Sequence, residues 1–138
     1  AQVVALIGDT LFVHGALSSA LCVAAFAPPR SSLCELSVAD WCRRVNKWAM
    51  QEIKSWQDDP MDYFKGGSEL VRYAAPGCAH SVVYADWLSA EPPRRPAIPF
   101  RIDETVSEFL RRGGVKRIVC GHQPYGDAPL VLRPEDAD

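Results

Sequence analysis

Two histidines occupy positions from which a side chain could bind a metal ion. His14 lies in the run FVHG at residues 12–15, and His122 lies in the run VCGH at residues 119–122. Each follows an apolar, strand-like run and adjoins a glycine. In layered α/β folds, ligands gather beyond strand ends, and a glycine lets a metal or phosphate approach the backbone closely. The residue types permit one shared metal site, and they equally permit two hydrogen-bonded histidines that bind no ligand.

The five cysteines do not add a recognisable site. Their number is odd and no two are spaced as CxxC, which argues against a disulfide framework and against a zinc ribbon. Cys78 and His80 could both donate to a metal, but without a second close pair the spacing favours a loop or core role. We therefore expect a reducing compartment and a cytoplasmic protein.

The charge balance and the apolar runs exclude two classes of partner. Fifteen Lys and Arg against 17 Asp and Glu give a net charge of −2, which provides no positive field for nucleic acid or an anionic membrane. No apolar run approaches the roughly 18 residues of a membrane span, and the N-terminus lacks the features of a signal peptide. The chain starts in an apolar run and stops on an acidic tail, so we expect both ends to be cut from a longer protein.

The element before His14 is predicted to be a β-hairpin. Residues 3–7 and 10–13 are apolar and rich in β-branched side chains, and the link Gly8-Asp9 is typical of a tight turn. Because both runs are apolar throughout, we expect a sheet covered on both faces.

A long amphipathic helix is predicted over residues 41–56. Ser37 and Asp40 resemble a capping box, and apolar residues follow at steps of three and four. A second helix is predicted between the cap Asp103 and Gly113, with cations in its last turn. Weaker patterns predict a helix at 17–26, a helical turn at 68–72, a strand at 81–84, a proline-rich loop at 91–99, a buried strand at 115–120 and a short strand at 130–132. The order predicts one α/β (α+β) domain over residues 1–138.

The two histidine runs also carry a family resemblance. GDTLFVHGAL at 8–17 and VKRIVCGHQP at 115–124 resemble the FVHGGL and VVGHTP signatures of calcineurin-like metallophosphoesterases, especially the bacterial and protist type of serine/threonine protein phosphatase. The resemblance implies a β-sandwich with flanking helices and a mixed sheet. It also implies two divalent ions (Mn, Fe or Zn) that activate water for attack on a phosphomonoester. By this resemblance, His14 and His122 are ligands of one metal.

The chain departs from the family pattern at several places. The Asp-x-His, GDxxDRG and GNHE blocks of the family's first half do not occur in the sequence. The resemblance therefore implies the C-terminal half of a phosphoesterase domain, inactive alone and without a catalytic residue of its own. Related phosphatases often carry a phosphate-binding arginine in the stretch around Tyr84 and Asp86. A carboxylate there would repel a phosphate dianion, so these two residues either line the cleft or serve only the structure.

Three functions remain open at this stage. The first is a metal-dependent phosphatase acting on a phosphorylated protein or a small phosphoester, with this chain as its C-terminal half. The second is a degenerate phosphatase-like binding module, and the third is a dinucleoside-polyphosphate hydrolase. In each case we expect an N-terminal half or a second copy to cover the apolar surface and strand edges that an isolated half would expose.

Overall fold

The computed structural model describes residues 2–17, 36–62, 67–76, 78, 81–85, 87, 102–121, 127 and 129–131. These residues form a mixed α/β structure with a small three-stranded sheet and three helices. In chain order the elements are β1 (Val4–Ile7), β2 (Thr10–Val13), α1 (Val38–Asp58), α2 (Ser68–Tyr73), α3 (Glu104–Arg112) and β3 (Arg117–Val119).

The predicted hairpin is confirmed. β1 and β2 pair antiparallel, with Val4 opposite Val13 and Ile7 opposite Thr10. The two-residue turn between them needs a left-handed residue, and Gly8 supplies it with a φ of 60°. The turn fixes the register of the two strands, and His14 is the first residue after β2.

The third strand joins the hairpin from the other end of the chain. β3 pairs parallel with β2, with Thr10 opposite Arg117 and Phe12 opposite Val119. The Asp9 carbonyl accepts hydrogen bonds from the backbone N–H groups of Lys116 (2.8 Å) and Arg117 (3.2 Å). The Arg117 guanidinium also donates to the Asp9 carboxylate at 2.5 Å, and this bond lowers the pKa of Asp9 from its ordinary 3.8. The hairpin turn thus anchors β3 in register with β2.

The described sheet is buried on one face, and the predicted cover of its second face does not come from the described residues of this chain. Side chains alternate between the faces of a strand, and the buried face carries Val4, Leu11 and Val13. The opposite face leaves three large apolar side chains partly exposed: Ile7 at 67%, Phe12 at 38% and Val119 at 48%. The strand predicted at 115–120 is wrong in its burial, because β3 half-buries only Ile118 and lies at the edge of the sheet that the described residues form.

Helix α1 confirms the predicted long helix and packs against β1. The Ser37 hydroxyl accepts from the Asp40 N–H at 3.0 Å, as a capping residue does. Asn46 on this helix accepts from the Val3 and Val4 N–H groups (2.8 and 3.2 Å) and donates to the Val4 carbonyl at 2.8 Å. The side chain therefore occupies part of the outer edge of β1 as a neighbouring strand would. Trp56, near the C-terminal end of the helix, stays 52% exposed.

Helices α2 and α3 are also confirmed. Asp103 caps α3 by accepting from the Thr105 and Val106 N–H groups at 3.0 and 3.4 Å, and the helix ends at Gly113. Phe109 packs edge-on against Trp41, with ring centroids 5.8 Å apart, which joins α3 to α1 in the core.

Two predicted strands are wrong. Residues 81–85 form a turn, in which the Ala85 N–H donates to the Ser81 carbonyl at 2.9 Å. Leu130 and Val131 are exposed and extend no strand in the described part of the chain. The predicted loop at 91–99 and the predicted helix at 17–26, apart from its first residue, lie outside the described residues. None of the helices in the described ranges is long and apolar enough to cross a bilayer.

Candidate functional site

The C-terminal ends of β2 and β3 lie at the same edge of the sheet. The strands are parallel neighbours with Phe12 opposite Val119, so β2 and β3 end within one residue of each other. His14 is the first residue beyond β2 and is exposed. His122 follows three positions after the end of β3 and lies outside the described residues. The prediction that the two histidines follow neighbouring strands is therefore confirmed for the strands, and the spacing of the rings stays a prediction.

The peptide group between His14 and Gly15 joins three segments of the chain. Its N–H, from Gly15, donates to the Val82 carbonyl at 2.7 Å. Its C=O, from His14, accepts from the Gly121 N–H at 2.9 Å. One peptide plane thus holds the turn at 81–85 on one side and the residue before His122 on the other.

Gly15 is required at this point by close packing. A Cβ added to it would lie 2.5 Å from the Ala85 carbonyl oxygen, 2.8 Å from that of Val83 and 3.0 Å from that of Val82. These oxygens belong to the backbone and cannot rotate away as a flexible side chain would. Only a glycine lets the strand end and the turn approach this closely.

The turn at 81–85 is stabilised by a buried serine. The Ser81 hydroxyl accepts from the Val83 and Tyr84 N–H groups, both at 3.0 Å, and Ser81 is fully buried. A side chain that bonds nearby backbone in this way competes with strand pairing. For this reason the β-branched run at 82–83 becomes a turn, and it places half-buried Tyr84 beside the end of β2.

A second support reaches the turn from helix α2. The Tyr73 hydroxyl accepts from the Val82 N–H at 2.9 Å, and its ring packs edge-on against Trp48 with centroids 5.1 Å apart. Tyr73 is 2% exposed, and burial raises the pKa of its hydroxyl to about 12. The phenol therefore stays protonated at neutral pH as a fixed hydrogen-bonding group.

The predicted site residues divide into two groups. His14 and Tyr84 are described, and they lie in segments that meet at Gly15. His122 and Asp86 lie outside the described residues, and each directly follows a residue of the meeting point, Gly121 or Ala85. The supporting roles of Tyr73 and Ser81 were not predicted from the sequence. A serine before a β-branched run was a usable signal for a turn, whereas nothing in the spacing pointed to the tyrosine.

The described residues hold only part of a possible metal site. Among the described ranges, no three His, Cys, Asp or Glu side chains lie together as a metal-binding group. The imidazole of His14, exposed beyond a strand end, is a ligand type that suits Zn, Fe or Mn. A metal at this edge with three or more such ligands would need at least one of them from outside the described residues, where His122 lies.

Comparisons with protein-family models, with curated proteins and with solved structures gave no match. The resemblance to calcineurin-like phosphoesterases therefore stays a prediction that depends on the two histidine runs.

Proposed function

We propose that this chain supplies two histidine ligands, His14 and His122, to one divalent metal ion of a phosphomonoester hydrolase. The observation that carries the proposal is the double hydrogen bond of the peptide group at residues 14–15. It brings the residue before His122 against His14, although the two runs are about a hundred positions apart in sequence. The bond continues the parallel pairing of β2 and β3, so the two histidine runs end on adjacent strands, as a shared metal site requires.

The setting fits a metal-dependent hydrolase in its ligand chemistry. His14 is exposed at the open edge of the sheet, where a substrate can reach it, while the residues beneath it are buried. A divalent ion bound there would polarise a phosphoryl oxygen and neutralise its charge. The chain's own hydrogen bonds hold the backbone of His14 at the strand end, and the turn at 81–85 packs against Gly15, the next residue. Tyr84 belongs to this turn, and we propose it and Asp86 as residues of the substrate cleft.

The proposal assigns the remaining ligands to residues outside this chain. The sequence lacks the Asp-x-His, GDxxDRG and GNHE blocks that would complete two metal sites. The exposed sheet face made of Ile7, Phe12 and Val119 supports a missing partner, because a β-sandwich would pack its second sheet on such a face. We therefore assign the chain to the C-terminal half of a phosphoesterase domain, inactive when isolated.

Hydrolysis of an aryl phosphate with Mn²⁺ tests the proposal. The 138-residue chain should show no more than the background rate, and the complete source protein should turn over. In the complete protein, His14→Ala and His122→Ala should each lower the rate by at least about 100-fold, since even residues that only support metal ligands cost about 10- to 100-fold. His80→Ala is the matched control, because His80 is the third histidine of the chain and lies outside both runs.

Two results would overturn the proposal. One is robust turnover by the isolated chain that His14→Ala abolishes, which would show that the missing blocks are not needed. The other is a complete protein whose activity is indifferent to both histidines. A panel of phosphopeptides and dinucleoside polyphosphates, applied to the complete protein, separates phosphatase from nucleotide hydrolase.

A further inference from the structure

A series of hydrogen bonds, beginning at its side-chain hydroxyl, connects Tyr73 to the backbone of both histidine runs. Its hydroxyl accepts from the N–H of Val82, and the carbonyl of the same valine accepts from the Gly15 N–H. The peptide group that contains this N–H then accepts, through the His14 carbonyl, from Gly121. Val82 is fully buried, so water cannot readily replace either of its bonds.

The tyrosine is held rigidly enough to act as a support. It is the buried residue of helix α2, and Trp48 of helix α1 packs against its ring. Ser81 fixes the other side of the same turn through its two bonds to backbone N–H groups. Helices α1 and α2 therefore determine how far the turn stands from the end of β2.

We propose that Tyr73 is a positioning residue: through Val82 it fixes the peptide group at residues 14–15, and so the spacing between His14 and the backbone that carries His122. The expected effect of this positioning on metal affinity rests on the proposed function. Its structural part concerns only described residues and can be measured without a metal.

Amide hydrogen exchange and Zn²⁺ binding on the same chain test this role. Tyr73→Phe keeps the ring and its contact with Trp48 but removes the acceptor for the Val82 N–H. We expect the Gly15 amide to exchange about fivefold faster or more, relative to the amides of β1, since one hydrogen bond in the series is lost. We expect Zn²⁺ affinity to fall about 10-fold, the scale seen when a support of a metal ligand is removed.

Matched variants separate positioning from general destabilisation. Phe109→Leu weakens the core at the contact between α3 and Trp41 of α1, without removing any hydrogen bond of the turn. At equal loss of global stability it should change neither the relative exchange of Gly15 nor the Zn²⁺ affinity. Ser81→Ala removes the other support of the turn and should reproduce the effect of Tyr73→Phe, which also covers the case in which the tyrosine variant does not fold.

Amide exchange tests the positioning role, and Zn²⁺ binding tests the proposed function, so each can be contradicted without the other. Unchanged Gly15 exchange in Tyr73→Phe and in Ser81→Ala would overturn the positioning role. A native chain whose Zn²⁺ binding is insensitive to His14→Ala would count against the proposed function, and the exchange measurement would still decide the role of Tyr73.

Discussion

The substitution Gly15→Ala probes the tightest contact of the candidate site. The added methyl group would lie 2.5 Å from the Ala85 carbonyl oxygen and 2.8 Å from that of Val83, closer than a carbon and an oxygen can approach without a bond. The turn at 81–85 must therefore move away from the strand end. That movement stretches or breaks the 2.7 Å hydrogen bond between the Gly15 N–H and the Val82 carbonyl.

The expected cost follows from three opposing effects. Overpacking of a filled site costs about 1–3 kcal/mol, and the lost hydrogen bond costs about 1 kcal/mol. Replacing glycine by alanine also restricts the unfolded chain, which stabilises the fold by about 0.4–1 kcal/mol where the backbone conformation is compatible. The sum is a loss of about 1–3.5 kcal/mol in the free energy of unfolding.

Urea unfolding followed by tryptophan fluorescence measures this loss. With a slope of about 2 kcal/mol per molar urea, the midpoint should fall by roughly 0.5–1.8 M. Gly121→Ala is the matched control, because it alters the other partner of the same peptide group, where the nearest atom to a new Cβ is 3.9 Å away. The control should be neutral or slightly stabilising. A Gly15→Ala chain as stable as the control would show that the turn does not press on the strand end, and the geometry of the site would be wrong.

Three further predictions concern the supports of the sheet and the turn. Asn46→Ala leaves the backbone N–H and C=O of Val4 without the side chain that binds them. The free energy of unfolding, measured by urea titration, should therefore fall by about 1–3 kcal/mol. Alanine at an exposed position of α1 is the control and should change nothing. The hydrogen bond from Arg117 lowers the pKa of Asp9 in the folded chain below its ordinary 3.8. The ionised Asp9 therefore stabilises the fold above pH 3.8, and this stabilisation is lost as the pH falls through the pKa of Asp9 in the folded chain. The stability difference between the native chain and Asp9→Asn should therefore shrink on acidification, and a difference that grows would contradict the ion pair. Burial raises the pKa of Tyr73 from 10.0 to about 12. Between these pH values the free energy of unfolding of the native chain should therefore fall relative to that of Tyr73→Phe. If the two free energies change with pH in parallel, the phenol is not buried.

Elements that depend on local signals could be predicted from the sequence. The hairpin follows from Gly8-Asp9 between two apolar runs, and α1 follows from the Ser37 cap and the spacing of its apolar residues. Both signals involve residues only a few positions apart, and tertiary contacts strengthen them without changing them. The cap at Asp103 belongs to the same class.

The failures have non-local or competing causes. The run at 81–84 has the composition of a strand, but the Ser81 hydroxyl satisfies its N–H groups locally and converts it into a turn. The one-sided burial of the sheet could not be predicted from apolar runs, because a run only shows that cover is needed and not which chain provides it. The bond from Val82 to Tyr73 depends on how α2 packs, which no spacing in the sequence records.

The parallel pairing of β2 and β3 could be predicted only in part from the sequence. Each histidine run predicts a strand that ends at a glycine, and two such ends at one edge are what a shared site requires. The pairing itself depends on the Asp9 carbonyl and carboxylate, which hold Lys116 and Arg117 across the chain. The sequence therefore indicated which strands would carry the site but not the contact that aligns them.

The central claim is that His14 and His122 bind the same metal ion. Titration of the 138-residue chain with Zn²⁺, followed through the ring-proton NMR signals of its three histidines, tests it directly, with His80 as the internal control. A shared site predicts that the signals of His14 and His122 move together along one binding curve that saturates at one equivalent, and that His14→Ala abolishes the shift at His122. Separate curves, or a His122 signal that responds to Zn²⁺ unchanged in His14→Ala, would contradict the claim.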